Sequence, residues 1–291
     1  MNPFLLLVPL AAIVAGLANR RRVSRDTETS YRVQFAPHGE AIVPGAEGYV
    51  LEGSNGRTLL MLHGSGDTPQ SLRYLADRIN AAGYTVHAPL LPGHGRSPRA
   101  FARATSAEYY AAARAAYGEL RGKPWVGLVG LSMGGALLAR VASEEREVRA
   151  LVLLAPYLGA PGLVRFIRRA GMLWSAGVPY VRGGGDTSIH DPVARAESRA
   201  YGSFSRGALT ALLETADAGR RALSRITAPV LVVNSANDNR IPRDIAEAAL
   251  RELPVSTEQH WVEGCGHVIT VDYCKDEVVR LVLAFLARHA G

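Results

Sequence analysis

Six short apolar runs constrain the fold of this 291-residue chain more than any other feature: TLLML from 58, TVHAP from 85, WVGLV from 125, ALVLLA from 150, PVLVV from 229 and QHWV from 259. A strand that is nearly continuously apolar has no solvent face and belongs in a parallel sheet covered on both sides. Helical periodicity fills the intervals over residues 69–82, 106–121, 133–143, 242–253 and 275–288. This alternation predicts an α/β fold with an open, doubly wound, mostly parallel sheet. A hydrophobic content of 48% supplies the core such a sheet needs. Upstream, RVQFAP from 32 and GYVLEG from 48 read as short early strands within a linker over residues 23–57.

One interval breaks the rhythm. Between LLAP at 153 and APVLVV at 228 the chain is too long for an ordinary crossover. The excess predicts a helical lid inserted after the strand ending near Ala155, over about 157–225. Within it Leu163, Phe166, Ile167 and Ala170 fall at i, i+3, i+4 and i+7, with Arg165, Arg168 and Arg169 between them. The expectation is a helix that packs its apolar face over the core and leaves its arginines in solvent; contact with a membrane surface is the alternative.

The net charge of +7 is almost all arginine, since Lys123 and Lys275 are the only lysines. Arg20, Arg21, Arg22, Arg25 and Arg32 stand against Asp26 and Glu28 directly after an apolar run from Phe4 to Ala18. No nucleic-acid module accompanies the charge, so anionic lipid is the expected partner and nucleic acid is not. A helix over the first eighteen residues would reach roughly 27 Å, a little short of the ~30 Å hydrocarbon core. The arginine flank predicts a membrane anchor over 1–22 with a cytoplasmic catalytic domain. The alternatives are a signal peptide cleaved near Gly16 and Ala18, giving a secreted protein, or a helix packed on the body of the protein. Two cysteines, Cys265 and Cys274, leave no disulfide framework and no Cys-rich zinc site to expect.

The chemistry centres on WVGLVGLSMGGALLARVA from 125, which places G-x-S-x-G between a strand and a helix. Gly130, Gly134 and Gly135 crowd the turn, and Ser132 stands at its apex. A serine hydroxyl needs an adjacent base held by a third group, and in this strand-turn-helix setting the chain order is serine, acid, histidine. NSANDNRIP places Asp238 just beyond a strand end, with Asp244 and Asp272 as nearby alternatives. WVEGCGHVITVD places His267 beyond the last strand, whereas His190, His260 and His289 fall in the lid, a strand and the tail. Backbone donors for a tetrahedral oxyanion are expected from the amide of Met133, and from the amide of Ser65 in LHGSGDT from 62. His63, Gly64 and His94 read as loop-shaping residues.

LLMLHGSG, GYTVHAPLLPGHG, GLSMGG, APVLVVNSANDNRIP and GCGHVITVD occur in register along residues 58–291. Together they resemble the α/β-hydrolase superfamily, and specifically its bacterial carboxylesterase and monoacylglycerol lipase family. The resemblance implies Ser132 as nucleophile, Asp238 as acid, His267 as base, the amides of Ser65 and Met133 as oxyanion hole, and a lid lining an acyl pocket. It implies hydrolysis of short- or medium-chain esters or monoacylglycerol, with no metal and no organic cofactor. A thioesterase, amidase or aminopeptidase of the same fold is the alternative, followed by a non-catalytic membrane scaffold. Many relatives carry a bulky aromatic where Ser65 stands; the lid is longer than expected, and the apolar N-terminus lies outside the resemblance.

Overall fold

The computed structural model describes residues 4–35, 41–182, 187–253 and 257–290. In chain order, α1 (Phe4–Phe35) precedes β1 (Tyr49–Leu51), β2 (Arg57–Leu62), α2 (Arg73–Ala81) and β3 (Thr85–Ala88). Next come α3 (Pro98–Arg103), α4 (Ser106–Leu120), β4 (Trp125–Leu131), α5 (Met133–Glu144) and β5 (Val148–Leu154). The inserted segment carries α6 (Gly162–Arg169), α7 (Gly171–Trp174), β6 (Tyr180–Arg182), α8 (Pro192–Glu197), β7 (Ser203–Ser205) and α9 (Arg206–Ala222). The chain returns through β8 (Val230–Ser235), α10 (Arg243–Leu250), β9 (Glu258–Val262) and α11 (Lys275–Arg288).

The seven-stranded sheet has the order β1-β3-β2-β4-β5-β8-β9, parallel throughout except for β1, which pairs antiparallel with β3. Strands β4 and β8 are buried at every position, as their continuous apolar runs require. Successive side chains point to opposite faces. Leu60, Leu62 and Leu128 pack with α4, α5 and α9 on one side, while Leu59, Met61 and Val129 pack with α2 and α11 on the other. Each such leucine contributes about 1.5–3 kcal/mol by leaving water, so the sheet centre is held by burial on both faces. The strand ends that carry Ser132 and the loops after β2, β8 and β9 are mounted on it.

Three expectations are corrected. Of the strand expected from RVQFAP, residues 32–35 belong to α1, and residues 36 and 37 lie outside the described residues. Tyr31 and Phe35, one helical turn apart, bury their rings with Val43 and Ala46 beside Tyr201, and that packing favours helix over strand. The GYVLEG strand forms as β1.

The expected membrane span is also corrected. Among the described residues no helix is long and apolar enough to cross a membrane. The apolar run from Phe4 to Ala18 accounts for only about 22 Å of α1 at 1.5 Å per residue, and the helix continues through Arg20, Arg21, Arg22 and Arg25. Residues 1–3 lie outside the described residues.

The third correction concerns the inserted helix α6, which presents the opposite face from the one expected. Arg165 forms a two-pronged ion pair with Asp217 of α9 at 2.7 and 3.1 Å, turning that charge toward the body. Leu163 and Phe166 are left 68% and 65% exposed.

Candidate active site

Ser132 occupies the single residue between β4 and α5, with φ 54° and ψ −115°. A non-glycine residue in this region costs about 1–3 kcal/mol and persists only where its surroundings over-determine it. Here they do. The Ser132 amide donates to the Leu154 carbonyl at 2.9 Å, and its carbonyl accepts the Tyr157 amide at 3.0 Å. Gly134 explains the glycines of the turn, because a Cβ there would lie 2.1 Å from the Leu62 carbonyl oxygen. The first turn of α5 can approach β2 this closely only without a side chain.

Asp238 lies in the loop after β8. Its Oδ1 accepts the amides of Arg240 at 2.7 Å and Ile241 at 3.0 Å, which aims Oδ2 at Nδ1 of His267, 2.7 Å away. Nε2 of His267 lies 2.9 Å from Ser132 Oγ. The three groups therefore form one continuous chain, carboxylate to imidazole to hydroxyl. With Nδ1–H donating to Asp238, Nε2 is the nitrogen open to the serine proton. Ser132 and His267 are 6% and 7% exposed. Burial pushes the Asp238 carboxyl up, but the charge and hydrogen bond of His267 and the two amides outweigh it, holding the acid below the usual aspartate range. Asp238 therefore stays ionised beside the ring.

The loop after β2 lies against the serine, since a Cβ on Gly64 would sit 3.2 Å from Ser132 Cβ. Two histidines hold this loop. His63 donates from Nδ1 to the Gly64 carbonyl at 2.9 Å and accepts the Leu91 amide on Nε2 at 3.1 Å. His94 donates to the Pro92 carbonyl at 2.9 Å and accepts the Gly66 amide at 3.0 Å. Burial keeps both rings neutral, driving His63 well down and His94 to about 4. Ser65 sits at the tip of the loop, with its hydroxyl buried and unpartnered among the described residues. Met133 is the first residue of α5, where an amide has no acceptor within the helix. Both are thus positioned near Ser132 with backbone N–H groups of the kind an oxyanion requires.

Sequence reasoning passed over three features. Asp272, considered as an alternative acid, is fully buried and accepts four backbone amides: those of Gly266, His190, Asp191 and Tyr273. It organises the loop that carries His267 and binds that loop to the inserted segment just before α8. Asp244 lies at the start of α10, and His260 pairs with Glu258. Cys265 and Cys274, too few for a disulfide framework, form a single bridge around the same loop. Asp67 is a second buried carboxyl close to His267; burial raises it to about 6, against the pull of Ser71, Thr68 and His267. In the same stretch the sequence singles out only the amide of Ser65 and the loop-shaping His63 and Gly64.

A sequence model of the alpha/beta hydrolase family matches residues 59–281. A thermostable monoacylglycerol lipase of Bacillus sp. (strain H-257) is 29% identical over 254 residues, covering 86% of this chain and 98% of its own. A carboxylesterase of Bacillus subtilis (strain 168) is 24% identical over 236 residues, covering 80% and 93%. Among solved structures, one from work on LipS and LipT, two metagenome-derived lipolytic enzymes, superposes with a TM-score of 0.77 at 27% identity, covering 86% of this chain and 100% of that one. The monoacylglycerol lipase of Paleococcus ferrophilus shares the fold with a TM-score of 0.71 at 21% identity, over 84% of this chain and 99% of its own.

Proposed function

The chain belongs to the alpha/beta hydrolase family, and we propose that it is a serine hydrolase that cleaves carboxylic esters through Ser132, His267 and Asp238. Its relatives place it among lipase- and esterase-like hydrolases. The observation that carries the reading is the unbroken hydrogen-bonded chain from Asp238 through His267 to Ser132.

In this mechanism the ester carbonyl carbon bonds to Ser132 Oγ while the serine proton moves to Nε2 of His267. Asp238 keeps the imidazole in the receptive tautomer and stabilises its charged form. The developing oxyanion is held by the amides of Met133 and Ser65. His267 then returns the proton to the departing alcohol, and a water activated by the same ring releases the acid and regenerates Ser132.

The substrates are short- to medium-chain esters or monoacylglycerol, the class named for the Bacillus lipase. The segment over 157–225 acts as the lid of the acyl site, and residues 58–291 are the catalytic unit that α1 and the linker precede. With Ser65 where a bulky aromatic is common in the family, the side chain takes up less of the wall beside the oxyanion loop. Disulfides persist in oxidising compartments, so the Cys265–Cys274 bridge supports the secreted alternative over a cytoplasmic catalytic domain.

The test is hydrolysis of p-nitrophenyl esters of increasing acyl length, and of monoacylglycerol, by wild type and Ser132→Ala. The expected result is a chain-length optimum in wild type and a loss of about 10⁴-fold or more in the variant. Folded wild type that turns over thioesters or amides but no ester of any length would overturn the ester assignment.

A further inference from the structure

A cavity of about 830 Å³ lies away from Ser132, lined by α1, α3 and the inserted segment. That is ample for a small-molecule ligand. Six arginines line it: Arg20, Arg25 and Arg32 from α1, Arg99 and Arg103 from α3, and Arg206 from α9. Among the described residues Glu28 is the one acidic residue in the lining.

Several arginines elsewhere have carboxylate partners, as Arg114 has in Glu145, Arg165 in Asp217 and Arg220 in Glu252. Among the described residues, no ion pair forms to the six arginines of the cavity, and Glu28 is engaged by the Arg99 backbone amide at 2.9 Å. Tyr180 lines the same cavity with Arg20, Arg99, Arg103 and Glu28. Arg25, Glu28 and Arg32 share one face of α1 at i, i+3 and i+7. Ser205, Arg206 and Gly207 bring the positive dipole end of the seventeen-residue α9, whose Ala208 amide is capped by the Ser205 hydroxyl, to the same space. Gly171 makes room for the Arg206 stem, since a Cβ there would lie 2.9 Å from it.

Clustered guanidiniums in a concave site are the chemistry that recognises phosphate oxygens. We propose that this cavity binds a phosphate-bearing anion, as a second ligand site separate from the ester-cleaving centre. The phosphate is supplied either by a soluble phosphate compound or by the headgroup of an anionic lipid. Exposed Val14, Leu17, Met172 and Leu173 lie near this end of the molecule, on α1 and α7.

The test uses the full chain and two probes: sodium pyrophosphate by titration calorimetry, and co-sedimentation with phosphatidylcholine vesicles with or without phosphatidic acid. It compares Arg99→Gln/Arg103→Gln with Arg73→Gln/Arg243→Gln, which removes equal charge from outside the cavity. The expected result is at least a tenfold loss of binding in the first variant and retention in the second. Loss with pyrophosphate identifies a soluble phosphate ligand, and loss confined to phosphatidic acid vesicles identifies a lipid headgroup. Failure of wild type to bind either probe, or equal weakening in both variants, overturns the proposal. Should the α3 variant fail to fold by circular dichroism, Arg25→Gln/Arg32→Gln on α1 gives the same reading. Neither probe depends on ester turnover, so the outcome is independent of the catalytic assignment.

Discussion

Ser132 is held by its backbone. Its strained φ is fixed by hydrogen bonds to Leu154 and Tyr157, and this backbone geometry delivers the hydroxyl to His267. Asp67, on the opposing loop, carries a cost. Burial raises its carboxyl to about 6, so between the ordinary aspartate value and about 6 the folded state binds more protons than the unfolded state. Stability contributed by this residue is therefore intact at acid pH and falls as pH rises through that window. A shift of this size corresponds to roughly 2–3 kcal/mol. Asp67→Asn keeps an acceptor for the Thr68 amide and gives Ser71 a donor, without the charge. Urea unfolding at pH 4 and pH 7.5 is expected to show Asp67→Asn gaining about 2–3 kcal/mol on wild type at the higher pH. A difference that does not change with pH would contradict the burial argument.

At the scale of elements, the loop between β9 and α11 bears the base, and two devices fix it: the amide cluster around Asp272 and the Cys265–Cys274 bridge. Closing a loop of nine residues' separation restrains the unfolded chain by about 2–3 kcal/mol. Cys265→Ser/Cys274→Ser is expected to lower unfolding free energy by that amount and to reduce kcat, because His267 lies inside the loop. An unchanged denaturation midpoint would show that the bridge contributes nothing. These elements mark the reach of the sequence. Turn chemistry and strand periodicity are local, which is why Ser132, Asp238 and His267 could be placed beyond the ends of three strands. The pairing of Cys265 with Cys274 and the four amides gathered by Asp272 depend on loop path, which no local pattern encodes. The exposed face of α6 was misread for a similar reason: amphipathic spacing says that two faces differ, while the Arg165–Asp217 contact decides which one turns inward.

At the scale of the whole molecule, α1 is joined to the catalytic body by aromatic contacts. Tyr31 stacks on Tyr201 at 5.0 Å, and Tyr201 stacks on Phe101 at 4.7 Å. Phe101 meets His94 edge-on at 4.8 Å, and His94 holds the amide of Gly66 in the loop beside Ser132. Tyr31→Ala is expected to destabilise the protein by about 2–4 kcal/mol and to expose the α1 junction to limited proteolysis. Unchanged stability together with unchanged protection would mean that α1 is not docked through this ring. The central claim is that Ser132 is the nucleophile, and it is tested most directly by mass spectrometry of the protein after reaction with a fluorophosphonate. The account predicts one adduct, on the peptide containing Ser132, abolished in Ser132→Ala and slowed in His267→Ala. Stoichiometric labelling of another residue, with ester turnover surviving in Ser132→Ala, would contradict it.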